Sequence, residues 1–152
     1  MMIAYQAVKT DTSVRLRRVF NAPVARVYSA WTNPAMMNEW FHPGRQVTSQ
    51  CEVDLRVGGR YRIAMHPPQG EPYVVGGSYQ EIIPDEKLVF TWRWAQADGE
   101  GEMLITLEFN ELSPNETEVV LTHSQFPNQE ERDSHEMGWV SCFDNLELAL
   151  VG

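Results

Sequence analysis

Positive charge is scarce in this sequence. Only two lysines are present, Lys9 and Lys87, and 12 basic residues face 21 acidic ones, for a net charge of −9. A field of that sign repels phosphate backbones and anionic lipid surfaces, so neither nucleic acid nor a membrane is an expected partner. Long hydrophobic runs are missing as well. No stretch approaches the roughly 18 uninterrupted apolar residues of a membrane span. The start, MMIAYQAVKTDTS, has no cationic segment and only a short apolar run, which does not read as a signal peptide. A cytoplasmic location is the resulting expectation. Cysteine is limited to Cys51 and Cys142, both in apolar contexts. Two buried free thiols are expected rather than a disulfide.

Motifs for several chemistries are also lacking. His42, His66, His123 and His135 are scattered, with no ligand-type spacing and no paired cysteines, so neither a metal nor another cofactor is expected. Gly58-Gly59 lacks the strand–glycine–helix context of a phosphate loop. Ser124 and Ser141 have no glycine elbow around them, which leaves a hydrolase nucleophile unsupported.

What is present is a clear order of patterns. The 152 residues suit a single domain spanning 1–152, with 1–12 as a weakly ordered start. Val14 to Phe20 reads as a strand whose alternation slips at Arg18-Val19-Phe20, the mark of a bulge or a strand end. Pro23 opens a helix carrying Val24, Val27, Tyr28 and Trp31 on one stripe. Thr32-Asn33-Pro34 breaks it, and Asn33 caps a second short helix with Met37, Trp40 and Phe41. Pro43-Gly44 stops that helix.

Strands and turns follow. Val47 to Val57 carries Cys51, Val53 and Leu55 on one face. Beyond the Gly58-Gly59 turn, Tyr61, Ile63 and Met65 share a face. Tyr73 to Ile83 is longer, with a bend at Gly76-Gly77. Leu88, Phe90, Trp92 and Trp94 line one side of the next strand, and Ala97 to Gly101 forms a loop. Met103 to Phe109 and Val119 to His123 complete an antiparallel meander. A last amphipathic helix runs from about Asn128, its cap, to Val151, with Trp139, Phe143, Leu146 and Leu150 on one face. It is the only long element available to cover the sheet, and a curved sheet gripping one helix tends to leave a cavity.

Taken in order, these segments resemble the activator of Hsp90 ATPase homologue 1-like family, in the START/Bet v 1-like (SRPBCC) superfamily. The resemblance rests on Phe20 with Ala22-Pro23, on Trp31-Thr32-Asn33-Pro34 with Trp40 and Pro43-Gly44, and on Arg56-Val57-Gly58-Gly59-Arg60-Tyr61. Leu88-Val89-Phe90-Thr91-Trp92, Thr122-His123-Ser124 and Gly138-Trp139 with Phe143 and Leu146 complete it. It implies an α+β helix-grip fold: a seven-stranded antiparallel sheet wrapped round a long C-terminal helix, with two short helices between strands 1 and 2. It also implies a cavity for hydrophobic ligands, but no particular reaction. The eukaryotic co-chaperone has a separate N-terminal domain for which this chain leaves no room, so Hsp90 is not an expected partner.

The inward aromatic set is the functional clue. Trp40, Tyr61, Ile63, Met65, Tyr79, Phe90, Trp92, Trp94, His123, Trp139 and Phe143 are the candidate ligand-binding residues, for a small apolar or aromatic molecule. Met103 and Met137 are further candidates for an adaptable wall. His123, Glu81 and Tyr79 are the candidate catalytic groups of an alternative, cyclase- or hydrolase-like reading. A protein-interaction role, in chaperone regulation or as a homodimer, is the third possibility, and each inward residue also has a plain core-filling reading.

Overall fold

The computed structural model describes residues 6–44, 46–95 and 101–151. Its elements are β1 (Gln6–Lys9), β2 (Val14–Phe20), α1 (Val24–Thr32), α2 (Pro34–Trp40), β3 (Thr48–Val53), β4 (Arg60–His66), β5 (Tyr73–Ile83), β6 (Lys87–Trp94), β7 (Met103–Ser113), β8 (Glu116–Ser124) and α3 (Gln129–Val151). The eight strands form one antiparallel sheet in the order β1-β2-β8-β7-β6-β5-β4-β3. The expected count of seven is thus corrected to eight. The additional strand is β1, and it moves the helix pair to between strands 2 and 3. Four residues with no apolar alternation carry no strand signature of their own; β1 forms because β2 offers a partner edge. The expected 97–101 loop lies, except for Gly101, outside the described residues.

Capping follows the side-chain chemistry. The Asn33 side chain accepts from the Ala35 amide at 2.9 Å and starts α2. The Asn128 side chain accepts from the Glu131 amide at 2.8 Å and starts α3. Trp139, Phe143, Leu146 and Leu150 are buried against the inner sheet face, as their spacing predicts. β3 stops at Val53 rather than Val57, because the chain turns through Asp54 to Gly59; Leu55 and Val57 are therefore exposed. The free edge of β3 is covered by α2, where the Asn38 side chain accepts from the Cys51 amide at 2.8 Å.

Two expectations about the inner face are corrected by register. β2 pairs with β8 without interruption from Val14↔His123 to Phe20↔Thr117, so there is no bulge at Arg18. Arg18 instead points inward and is only 3% exposed. Its guanidinium donates to Asp144 at 2.7 Å, lies 3.7 Å from Glu147, and sits 5.7 Å from the Phe143 ring centre. An arginine is tolerated there because α3 brings both carboxylates to it. In β5 the opposite happens. A register shift between Tyr79 and Glu81 takes Glu81 off the inner face, and its carboxylate pairs with Lys87 at 3.3 Å near solvent.

Gly77 shows why the β5 bend needs glycine. A Cβ there would collide with the Thr91 carbonyl oxygen. That same carbonyl accepts the Tyr61 hydroxyl at 2.5 Å, so strand, ring and carbonyl share one tight spot.

Candidate functional site

The inner face is not uniformly filled. Beside the first half of α3 a cleft of about 310 Å³ remains. Phe41, Met65, Tyr73, Trp92, Trp94 and Trp139 form its walls, and Pro43, Ser134, His135, Gly138 and Cys142 complete its lining. The sheet supplies Met65 from β4, Tyr73 from β5, and Trp92 and Trp94 from β6. α3 supplies Ser134 through Cys142. Phe41 and Pro43 come from the turn after α2.

That turn is tied to α3. The Asn145 side-chain amide donates to the carbonyls of His42 at 2.8 Å and Gly44 at 3.0 Å. The Gly44 amide donates in return to the Ser141 hydroxyl at 2.7 Å. Gly44 itself has φ +72°, a conformation open to glycine. These bonds fix Phe41 against Trp139, with ring centres 5.6 Å apart.

Two indole–imidazole pairs stiffen the opposite wall. Trp94 Nε1 donates to His135 Nε2 at 2.8 Å, and Trp139 Nε1 donates to His123 Nδ1 at 3.0 Å. An indole nitrogen only donates, so both accepting imidazole nitrogens are unprotonated. His135 then donates from Nδ1 to the Glu131 carbonyl at 2.8 Å. His123 directs Nε2–H at the Met103 sulfur, 3.4 Å away. Phe126 stacks on the His123 ring at 4.2 Å.

Burial drives the titration of these groups. His123 is fully buried, and desolvation, with a smaller contribution from His135, holds its pKa well below 6.5. Desolvation also lowers His135, opposed by its bond to Glu131. The Cys142 thiol is pushed up to about 12 by burial, which keeps it protonated. Burial likewise raises the Tyr79 phenol and pushes the Cys51 thiol up to about 12. Both cysteines are free and buried.

A pH dependence of stability follows. Unfolded histidine gains a proton near pH 6.5, while the folded forms of His123 and His135 gain one only at lower pH. The unfolded state therefore binds more protons in between, and stability falls as pH drops through that window. Each histidine contributes at most about 1.36 kcal/mol per pH unit. Urea titrations between about pH 7.5 and 5.5 should show His123→Gln, which keeps an acceptor for Trp139, with a shallower slope than the wild type. Equal slopes would mean that His123 already titrates normally in the folded protein.

Of the residues expected at the site, Met65, Trp92, Trp94 and Trp139 lie on the cleft. Trp40, Tyr61, Ile63, Tyr79, Phe90 and Phe143 are buried elsewhere in the core. His123 sits behind the wall made by Trp92 and Trp139, its accepting nitrogen already used. Glu81 is outside, and Met137, 73% exposed, is on the solvent side of α3. Sequence reasoning missed Phe41, Pro43, Tyr73, Ser134, His135, Gly138 and Cys142. Two of them had a usable signal. Tyr73 shares strand parity with Val75 and Tyr79, and Gly138 is a glycine inside a helix immediately before its buried stripe.

Among the described residues, no three histidine, cysteine or carboxylate side chains converge as a metal site would require. No helix there is long and apolar enough to cross a membrane.

No curated protein matches this chain. Solved structures do. A protein from Chromobacterium violaceum is 28% identical with a TM-score of 0.81, the match covering 91% of this chain and 96% of that one. One from Rhodobacter sphaeroides, at 21% identity, reaches a TM-score of 0.84 with coverages of 98% and 99%. The AHSA1 protein of Silicibacter pomeroyi, at 23% identity, has a TM-score of 0.80 with coverages of 91% and 97%. The likenesses to the last two carry the helix-grip, Bet v 1-like fold. The model of the family described as Activator of Hsp90 ATPase homolog 1-like protein matches residues 21–150, and the chain belongs to that family.

Proposed function

We propose that this chain is a cytoplasmic, single-domain binding protein for a small apolar or aromatic molecule held between α3 and the inner sheet face. The observation that carries this reading is the aromatic cleft of about 310 Å³. Such a volume is at the lower end of the range typical of small-molecule sites. Two buried free thiols suit a reducing compartment. The reading involves no nucleic acid and no Hsp90. It also assigns no reaction, since the protonated Cys142 thiol and the doubly bonded His135 offer neither nucleophile nor free base.

Native mass spectrometry of gently purified protein, set against its denatured mass, tests it. A retained adduct on the order of a few hundred daltons is the expected result for a ligand of that cleft size. A bare mass, together with no melting-temperature shift across a panel of small aromatic compounds, would overturn the reading. The same spectrum distinguishes monomer from homodimer.

A further inference from the structure

We propose that the ligand of this cleft carries a fully alkylated ammonium group, seated among the rings of Phe41, Tyr73, Trp92, Trp94 and Trp139. The inference rests on the binding reading above and names the chemical class that the site prefers.

The cleft is rich in π surface and poor in everything else. Among the described residues, none that lines it is Lys, Arg, Asp or Glu. An anion entering it would meet no cationic side chain among the described residues and few donors. Both His135 nitrogens are occupied and the Trp94 and Trp139 indole N–H groups are spent on His135 and His123, which leaves the Trp92 indole N–H and the Ser134 and Tyr73 hydroxyls. Anionic ligands are thereby disfavoured. A primary ammonium meets the converse problem: its three N–H donors need acceptors, and the side chains of these walls offer little beyond the Ser134 and Tyr73 hydroxyls. A quaternary ammonium has neither demand. Its charge is spread over alkyl groups that pack as apolar matter does, and its positive field is drawn to ring faces.

Ring orientation is varied, with three inclined pairs and one near-parallel pair. Around the cleft, Trp92 and Trp94 are inclined at 89°, Phe41 and Trp139 at 67°, and Trp92 and Trp139 at 48°, while Phe41 and Trp92 lie nearly parallel at 23°. Rings set at such different angles can turn more than one face toward a group held in the cleft. The net charge of −9 adds a long-range field of the sign that gathers cations.

The experiment compares choline with 3,3-dimethylbutan-1-ol, the uncharged analogue in which carbon replaces nitrogen. Both are titrated at matched ionic strength while tryptophan emission is recorded. Choline should bind tighter by a factor between about 2 and 30, the span of ring–cation attraction from exposed to desolvated sites. In Trp94→Leu and Tyr73→Leu proteins both compounds lose ring contacts, and the advantage of choline over the analogue should shrink toward parity. Tyr73 is half exposed at the rim, so its replacement leaves the fold in place. Equal or tighter binding of the neutral analogue overturns the proposal while leaving an apolar binding site standing. If neither compound binds, the proposal falls. A bare native mass and an unresponsive ligand panel would then remove the binding reading too.

Discussion

Gly138→Phe is expected to weaken ligand binding by at least about tenfold while leaving the protein folded, because one filled cleft forfeits contacts worth 1.4 kcal/mol or more. Gly138 lies on the cleft, and a Cβ built there meets nothing within 4 Å. The open space is therefore, in part, the side chain that residue 138 does not have. Mid-helix glycine costs roughly 0.5–1 kcal/mol relative to alanine. Removing it should offset part of any strain from the new ring, and Gly138→Ala should raise stability by up to that amount. Thermal melts and ligand titrations on the two variants check both halves. A phenylalanine variant that binds as the wild type does would place the ligand somewhere other than this cleft.

Phe143→Ala is expected to cost about 3–5 kcal/mol, out of the roughly 5–15 kcal/mol that holds a domain of this kind together. Phe143 has no exposed surface. It meets Phe20 edge to face at 5.7 Å and Trp31 at 6.2 Å, joining α3 to both β2 and α1. It also supports the Arg18 guanidinium. The loss combines transfer free energy, a cavity between three elements, and a buried charge with one neighbour fewer. Urea denaturation should show the midpoint collapse for alanine and a much smaller change for Phe143→Leu. A cost below about 1 kcal/mol for alanine, the usual size of an ordinary point substitution, would mean that α3 does not anchor the core at this point.

The contrast between these two residues explains what could be read in advance. Period-two and period-3.6 patterns report which face a residue occupies, and they placed Phe143, Trp139, Trp92 and Met65 inward without help. They do not report how completely a face is filled. Tyr61, Tyr79 and Phe90 have the same sequence signature as Trp92, yet they close into a cluster with ring centres 5.2–5.9 Å apart. Trp92 and Trp94 border open space because glycine faces them from α3. Side-chain volumes across the gap decide the difference, and those belong to residues distant in sequence. Glu81 failed for a different reason: one extra residue in β5 reverses all later parity, and no local composition announces it. Arg18 was misread as a slip because its partners, Asp144 and Glu147, are at the far end of the chain.

The four-residue β1 also bears on how the protein survives crowded solution. An open sheet has two borders, and each is a template on which another copy can add a strand. The β3 border is occupied by Asn38 and α2. The other would be β2, seven residues long, were β1 not laid along it. β1 replaces that border with a shorter one ending in Lys9, whose ammonium is held to Glu136 at 3.0 Å and to Asp133 at 3.7 Å. A strand with almost no core of its own thus acts as a selvedge, keeping the weave from extending into its neighbours.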